Sequence, residues 1–371
     1  MGRCPPDRRL NPVAAPGAAP PPRRRLAILL AVVLCTSVSC ARGSEPSPSP
    51  TTTIASRLDA GVRSASQAGV LAVFGPDAQA VGLSLFAVLT AGDATVAGAG
   101  DRLLRADYAL PGDRRTARET VRYVQAAGSD AVSGLEATSG PLPVWALAGV
   151  SVTTTTSGTL VSAGLDASAR KTWADRLERA AKVVRRSTVG EDWSGGLVVV
   201  IPPGGRFGTV SGASADDASA ITTCSAGTPR IIVNPAVLAQ SAEWLDSTLV
   251  HEAVHVATDS ACVAAGASLG WAVEGLAESV AARSDSATAA RNRALVVSFL
   301  TEHGLPDALP ADPESLTDYA LAQLAADQVR AHLGAHADDF WRRAIHDADS
   351  VTPAEIERIT RWYRAALADL A

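Results

Sequence analysis

The chain has 371 residues, of which 47% are hydrophobic, so it is long and apolar enough for two ordinary domains with a core in each. Its formal net charge is −5, and residues 1–40 contribute +5 (six Arg against one Asp), which leaves −10 for the remainder (−5 minus +5). Binding to nucleic-acid phosphates needs clustered Arg and Lys, so this acidic body argues against nucleic acid as a partner.

The N-terminal residues have the pattern of an export signal. Arg23–Arg25 form a positive segment, and Leu26–Val38 form an apolar segment that is short for a membrane span but typical of a secretory signal. The sequence that follows, Ser-Val-Ser-Cys at 37–40, resembles a bacterial lipobox, in which Cys40 becomes lipid-modified after cleavage. We therefore expect residues 1–40 to be a lipoprotein signal and Cys40 to anchor the protein at the outer face of the cytoplasmic membrane.

The sequence also fits a second kind of cleavage site at the end of the signal. Ser39-Cys40-Ala41 also fits an ordinary cleavage site with small flanking residues, which would give a secreted protein. In either case residues 41–53 are rich in Ser, Pro and Thr, a composition typical of a flexible linker. The folded part is expected to begin after this linker.

Residues 54–164 predict a small α+β accessory domain. Ile54–Ala68 and Asp77–Leu89 have helical character. Four further segments, rich in Val and Thr and separated by Gly and Pro, predict antiparallel strands: Thr95–Leu110, Glu119–Ala126, Val144–Thr156 and Thr159–Ala163. Helices packed on a curved sheet, as in a cystatin-like or NTF2-like module, fit this order. No cluster of His, Cys or acidic residues marks a site here, so we expect a structural or protein-binding role.

Residues 165–371 predict a second domain, which begins with an amphipathic helix over Asp166–Ser187. Three strands follow it: Gly196–Pro202, Ser219–Cys224 and Arg230–Asn234. Arg230–Asn234 is the candidate for an edge strand that pairs with an extended peptide, with an ordinary strand inside the sheet as the alternative. The end of the chain is predicted to be helical throughout, over Ala289–His303, Pro313–Leu333, Asp338–Asp347 and Pro353–Leu370.

Between the strands and these last helices, the segment Trp244–Glu278 carries the strongest chemical signal. The sequence HEAVH at 251–255 is an H-E-x-x-H motif inside an apolar-periodic run. On a helix, residues four apart lie on one face, so His251 and His255 can bind one ion. Eighteen residues later comes Glu274, in the sequence WAVEGLAE, and a second helix returning past the first would bring its carboxylate to the same ion.

Two histidines and one glutamate are the ligand set of catalytic zinc, which leaves one coordination position for water. The sequence therefore predicts one catalytic zinc ion held by His251, His255 and Glu274. A zinc ion lowers the pKa of its water and polarises the substrate carbonyl. Glu252 follows the first ligand directly, where it can take the proton of that water and pass it to the leaving amine, so it is the predicted catalytic residue.

The HEAVH and WAVEGLAE segments with their spacing resemble the gluzincin metallopeptidases, and the second is similar to actinobacterial peptidase MA-like domains. The resemblance covers Trp244–Glu278 closely and extends over about Ala167–Ala371, but not over the N-terminal third. It implies a zincin-like domain with a mixed sheet, an active-site helix and an all-α lower subdomain. The G-x-M-E-N signature of the related aminopeptidases is absent, so aminopeptidase specificity is not implied.

The resemblance also implies roles for residues around the metal. An acid placed like Glu278 hydrogen-bonds a ligating histidine in thermolysin-like enzymes; a solvated carboxylate is the alternative. Asp259 is a weaker candidate for the same work. Tyr319 is the best candidate for the donor that stabilises the oxyanion, because a Tyr opens a comparable helix in peptidase MA-like domains. The alternatives to it are His332, His336 and His346.

Cys224 and Cys262 are the two cysteines that remain once the leader is set aside. In an exported protein a disulfide between them is reasonable, and it would connect the strand region before the motif helix to the loop after it. Two small buried thiols are the alternative.

Together these features predict an exported, membrane-anchored zinc metallopeptidase that hydrolyses peptide bonds with a metal-bound water. Its expected partners are a peptide or protein substrate and, through Cys40, the membrane. The alternative from another class is a zincin-fold lipoprotein that binds or scaffolds without catalysis. A third hypothesis is metal-assisted hydrolysis of a different amide, such as one in the cell wall.

Overall fold

The computed structural model describes residues 53–187, 189, 193, 196–213, 218–264 and 266–371. Within this part the strands form two sheets, and the first is an antiparallel meander in the order β1-β2-β3-β4. Its strands are β1 Asp93–Gly100, β2 Leu103–Ala109, β3 Ala117–Gln125 and β4 Val132–Ala137.

The second sheet has five strands in the order β5-β6-β7-β9-β8. They are β5 Val150–Thr155, β6 Gly158–Ala163, β7 Leu197–Ile201, β8 Ala220–Ser225 and β9 Thr228–Val233. The three inner strands are parallel, and the two outer ones pair antiparallel with their neighbours. Every residue of β7 (LVVVI) is buried, as expected of a parallel strand covered on both faces.

The prediction that Arg230–Asn234 is an edge strand is wrong. This segment corresponds to β9, which lies between β7 and β8, and every residue of β9 is buried. Ala226 and Gly227, both with positive φ, turn the chain back in a tight hairpin. The hairpin places β8 outside β9, so the partly buried β8 is the edge strand at this side of the sheet.

Helices flank both sheets. Three precede the first sheet, α1 Ile54–Arg63, α2 Gln67–Leu71 and α3 Gln79–Thr90, and two lie among the strands of the second, α4 Ala167–Arg186 and α5 Phe207–Ser211. The C-terminal part is helical, with α6 Ala242–Thr258, α7 Gly270–Ser284, α8 Ser286–His303, α9 Leu316–Leu333, α10 Ala337–His346 and α11 Pro353–Ala368. The predicted α+β class is therefore correct.

Alternate residues of the second sheet face two different cores. Val200 and Ile232 are buried with side chains of the first sheet and of α1–α3. Val199 and Ile231 are buried with side chains of α4 and of the helices from α6 onwards. Since β6 pairs with β7, this sheet spans the predicted domain boundary between residues 164 and 165, and Thr52–Ala371 form one compact unit.

Three details of the predicted accessory domain differ from the structure. The single strand expected over Thr95–Leu110 is a hairpin of β1 and β2, because Arg102 adopts a positive φ and reverses the chain. The segment Val144–Thr156 begins with a short 3-10 helix, and its strand starts only at Val150. Strand β4 was not predicted, since the Gly within it weakens the strand pattern.

The predicted signal over residues 1–40, its lipid site at Cys40 and most of the linker over 41–53 lie outside the described residues. Thr53, the last linker residue, is described and caps the first turn of α1. Among the helices of the described part, none combines the length and apolarity that crossing a membrane requires.

Candidate metal centre

Helix α6 carries three of the four predicted site residues. It begins at Ser241, whose hydroxyl oxygen accepts a hydrogen bond from the backbone N–H of Trp244, and it ends at Asp259, whose φ of 58° breaks the helix. Its apolar side chains are buried against the second sheet and its flanking helices. The four-residue spacing places His251 and His255 one turn apart, with ring centroids separated by 4.9 Å.

Helix α7 brings Glu274 to the same place. Trp271, one turn earlier, is buried and contacts the ring of Phe340 on α10 at a centroid distance of 6.1 Å. Gly275, directly after Glu274, faces α9 so closely that a Cβ there would lie 2.3 Å from the carbonyl oxygen of Ala322. The Gly of WAVEGLAE therefore sets how deeply α7 packs and hence where Glu274 lies.

The three predicted ligands converge on one point. Oε2 of Glu274 lies 3.1 Å from Nε2 of His251 and 3.4 Å from Nε2 of His255. One ligand atom from each residue lies within 4.8 Å of the other two. Ligands at about 2.0–2.1 Å from a tetrahedral zinc ion are about 3.3 Å apart. The donor set and the two distances from Glu274 are therefore those expected around a single metal ion such as zinc.

The second nitrogen of each imidazole is occupied by another side chain. Nδ1 of His251 lies 2.9 Å from Oε2 of Glu278, and Nδ1 of His255 lies 3.1 Å from Oγ of Ser260. In the tautomer with the proton on Nδ1, each ring donates to this partner and keeps the lone pair of Nε2 for a metal. The geometry gives Glu278 the orienting role that the sequence proposed for it.

The charges at the centre shift one another's pKa values. Burial lowers the pKa of His251, but hydrogen bonds and charges from Glu274 and Glu278 outweigh it and raise that pKa well above its usual value. Burial raises the pKa of Glu274, but the charge of His255 and contact with His251 outweigh it and hold that pKa far below its usual range. The pKa of Glu278 is also lowered, because its bond to His251 overcomes burial. Both carboxylates are therefore ionised at neutral pH and attract a cation.

Glu252 lies beside the ligands, and only 7% of its surface is exposed. The hydroxyl of Thr222 on β8 lies 2.7 Å from Oε2 of Glu252 and 3.1 Å from its backbone carbonyl oxygen. Among the described residues, none forms a hydrogen bond with Oε1 of the same carboxylate. One carboxylate oxygen is thus held by the sheet, and the other is left for a proton.

Glu278 is itself held by α8. Nδ2 of Asn292, which is buried, donates to Oε1 of Glu278 at 2.6 Å, and Nη2 of Arg291 donates to the same oxygen at 3.2 Å. Asn292 also lies 2.7 Å from Oε1 of Gln323 on α9. The orientation of His251 therefore depends on three helices of the C-terminal part.

A groove of about 690 Å³ opens over the centre. Its lining includes His251, Glu252 and Tyr319, together with Ala218–Ala220 at the start of β8. Tyr319 lies edge-on to the ring of His251 at a centroid distance of 5.7 Å, which brings the predicted oxyanion donor to the ligand. A cavity of about 770 Å³ lies elsewhere, beside Arg114 and α10, and its lining includes none of the predicted site residues. We assign the site by its chemistry rather than by cavity size.

Other candidates lie away from the centre. Asp259, expected to support a ligand, forms an ion pair with Arg115 instead, because its positive φ at the end of α6 turns the chain aside. His332 stacks on Trp362 with centroids 4.3 Å apart. The remaining alternatives to Tyr319 do not line the groove either: His336 is exposed, and His346 lines the larger cavity.

Cys224 and Cys262 form a disulfide, as the sequence predicts. Cys224 lies on β8, and Cys262 ends the short 3-10 helix Ser260–Cys262 that directly follows α6. The bond therefore joins the edge strand of the groove to the segment that carries Ser260.

Comparison of the sequence with models of known protein families finds no match. No curated protein matches it either. The interpretation of the centre therefore depends on its own residues and their arrangement.

Three residues of the centre were not found from the sequence: Thr222, Ser260 and Asn292. The sequence contains a feature that points to Thr222, because Cys224 lies two residues further on the same strand and shares its face. A disulfide from Cys224 to the loop after α6 implies that Thr222 also faces α6. Ser260 and Asn292 carry no such signal, since neither belongs to the motif or to a recognisable spacing from it.

Proposed function

We propose that this protein is an exported, lipid-anchored metallopeptidase that hydrolyses peptide bonds with one zinc ion. One observation carries the proposal: Nε2 of His251, Nε2 of His255 and a carboxylate oxygen of Glu274 meet at the spacing of zinc ligands, with Glu252 beside them at a groove. The proposed fold is zincin-like. The second sheet and α6 would form one wall of the groove, and the helices from α7 onwards the other.

A zinc ion at such a site supplies a Lewis acid and lowers the pKa of a water towards 7. The chain's own part is to present three ligand atoms in fixed directions. Glu278 and Ser260 hold the two imidazoles from behind, through their Nδ1 atoms. Before a metal binds, Glu274 is ionised, because the histidines hold its pKa far below the usual range of a glutamate.

Glu252 is the proposed base. Its Oε2 is held by the hydroxyl of Thr222, so its Oε1 accepts a proton from the attacking water and passes it to the leaving amine. Burial of the carboxylate beside α6 and β8 limits competition from bulk solvent. This role requires both a fixed carboxylate and an open groove.

Tyr319 is the proposed donor to the oxygen that becomes negative in the transition state. Burial, together with the charges of Glu274 and Glu252, raises the pKa of its hydroxyl above the usual value, so the hydroxyl keeps its proton at neutral pH. The ring contacts His251 and lines the groove. A protonated phenol beside the ligands can donate a hydrogen bond where negative charge develops.

Strand β8 is the proposed docking edge for the substrate. It ends the second sheet and begins at the groove, so its free side can pair with an extended peptide. Export and lipid anchoring are supported by the N-terminal sequence alone, through the positive and apolar segments and the lipobox-like SVSC ending at Cys40.

The first experiment is elemental metal analysis of the purified protein beside His251→Ala and Glu252→Gln. The wild type is expected to hold about one zinc per chain, His251→Ala to lose it, and Glu252→Gln to keep it. Hydrolysis of labelled casein and of a random peptide library is then measured. We expect Glu252→Gln to lose at least about 10²-fold in rate, because general-base catalysis contributes about 10²–10⁴-fold.

Each result has a distinct meaning. A wild type without zinc, even after reconstitution, would overturn the proposed metal centre. Zinc bound with full activity in Glu252→Gln would remove Glu252 from the base role. Zinc bound with no hydrolysis in the wild type would favour the binding or scaffolding lipoprotein.

A further inference from the structure

The two histidine ligands are supported in different ways. Nδ1 of His251 contacts Glu278, whose carboxylate is held by two side chains of the long helix α8. Nδ1 of His255 contacts Ser260, which lies in a three-residue 3-10 helix. A single turn of this kind provides little rigidity of its own. A second connection to the rest of the fold would therefore help to hold Ser260 in place behind His255.

The disulfide supplies that connection. Cys262 lies two residues after Ser260 in the same short helix, and its partner Cys224 lies on β8, which is hydrogen-bonded along its length to the buried strand β9. Residues two apart on a strand share a face, so Thr222 and Cys224 both face α6. Thr222 holds Glu252 from this face.

One strand thus reaches the centre at two points. Through Thr222 it contacts the base directly, and through the disulfide it holds the segment that carries Ser260. The backbone hydrogen bonds around Ser260 are local and do not connect this segment to the sheet. Cys262 N–H donates to the carbonyl of Asp259 at 3.0 Å, and the short helix is only half-buried. The disulfide is the covalent connection between this segment and the sheet.

We propose that the Cys224–Cys262 disulfide and Ser260 act together as positioning elements of the metal centre. The disulfide holds Ser260 so that its Oγ accepts a hydrogen bond from the N–H at Nδ1 of His255, which directs Nε2 towards the metal. This inference rests on the proposed zinc site. Partners behind a ligating histidine typically contribute about 10–100-fold to metal affinity.

The test measures zinc affinity of the full chain, made metal-free, by competition with a chromophoric chelator. The variants are Ser260→Ala, the pair Cys224→Ser with Cys262→Ser, and all three changes together. We expect Ser260→Ala and the cysteine pair each to weaken zinc binding about 10–100-fold. Because both act through one contact, the triple variant should be no more than about threefold weaker than the weaker of these two.

Two controls separate positioning from general damage. Ser260→Thr keeps the hydroxyl and should restore most of the affinity, whereas Ser268→Ala, in the same connection between α6 and α7, should leave affinity unchanged. The absorption spectrum of the cobalt-substituted protein should change in Ser260→Ala and return in Ser260→Thr, because it reports ligand geometry. The thermal midpoint of metal-free Ser260→Ala should stay near that of the wild type.

The outcomes distinguish this inference from the proposed function. Wild-type zinc affinity retained in Ser260→Ala would overturn the role of Ser260. Losses that multiply in the triple variant would show that the disulfide acts by another route. If the cysteine variant does not fold, the folded wild type is reduced with a phosphine and alkylated, and unchanged affinity would overturn the role of the disulfide. A wild type that binds no zinc would overturn the metal centre and this inference together.

Discussion

Two buried clusters of charged side chains in the described part of the chain differ in the source of their positive charge. In the first, which we call the Arg230 cluster, Arg230 is fully buried and donates through Nη2 to Oδ2 of Asp113 at 2.7 Å and through Nε to Oδ1 at 3.3 Å. Glu119 lies beside it and accepts from Tyr108 Oη at 2.8 Å and from Trp145 Nε1 at 3.0 Å. The cluster joins the two sheets and contains its own cation.

The candidate metal centre has the opposite balance. The carboxylates of Glu274 and Glu278 contact the two imidazoles, and Glu252 lines the same groove. Among the described residues, Arg291 at the edge is the one that brings a permanent positive charge. Buried carboxylates need a partner of opposite charge. In the Arg230 cluster the chain provides one, whereas at the centre ligand atoms converge and the site opens to a groove. The difference supports the proposal that a cation from solution completes the second cluster.

The largest effect is expected from removing the resident cation. Arg230→Met leaves the carboxylates of Asp113 and Glu119 buried without their charge partner, so we expect a loss of about 3–5 kcal/mol in the free energy of unfolding. Urea unfolding of the metal-free protein measures it. Glu274→Ala in the same assay should cost less than Arg230→Met, because the Glu274 side chain is 25% exposed and His251 keeps its second carboxylate partner, Glu278.

A variant that also removes the unpaired carboxylates tests whether unpaired charge causes this loss of stability. Adding Asp113→Asn and Glu119→Gln to Arg230→Met removes the unpaired charges, so the triple variant should be more stable than Arg230→Met alone. Equal losses from Arg230→Met and Glu274→Ala would contradict the distinction between the two clusters.

A smaller effect is expected at Gly275, where the metal centre depends on helix packing. A Cβ there would lie 2.3 Å from the carbonyl oxygen of Ala322, so Gly275→Ala must push α7 away from α9. Overpacking of this kind costs about 1–3 kcal/mol. Zinc affinity should fall as well, because Glu274 moves with the helix. Unchanged stability and affinity would show that α7 can shift without cost to the centre.

Much of the centre could be predicted because its residues are close in sequence. The four-residue spacing fixes His251, Glu252 and His255 on one turn of helix whatever surrounds them. Glu274 needed only a second helix with a recognisable sequence around it. Most helices were also predicted to within a few residues, since apolar periodicity and Pro boundaries are local signals.

The parts that sequence did not reveal depend on contacts between distant segments. The order of β8 and β9 in the sheet follows from which strand pairs with β7, a contact between segments that are not adjacent in the sequence. Ser260 acts through one hydrogen bond and Asn292 through two, and neither kind of bond leaves a recognisable pattern in the sequence. The Arg230 cluster joins residues more than 100 positions apart, and no local pattern announces it.

The smallest effect is expected at a third acid–base pair, which is only partly buried and shows what a carboxylate gains without full burial. Glu355 caps α11 at Thr352 and pairs with Arg343 at 2.8 Å. Its bond to Arg343 and that from the backbone N–H of Thr352 lower the pKa of Glu355 to about 2. A pKa lowered by folding stabilises the protein above the ordinary glutamate pKa, and this stability is lost as pH falls towards 2.

We therefore expect Glu355→Gln to reduce stability at pH 7 by no more than about 1 kcal/mol, since solvent screens exposed pairs. The difference from the wild type should shrink as the pH falls from about 4.5 towards 2, where the wild-type carboxylate also becomes neutral. Urea unfolding of both proteins between pH 3.5 and 7 measures the trend. A cost that is large, or that does not change with pH, would mean that Glu355 acts through packing rather than charge. Because both side chains of this pair are 22% exposed, its cost must also fall well below that of Arg230→Met if full burial is what makes the two inner clusters strong.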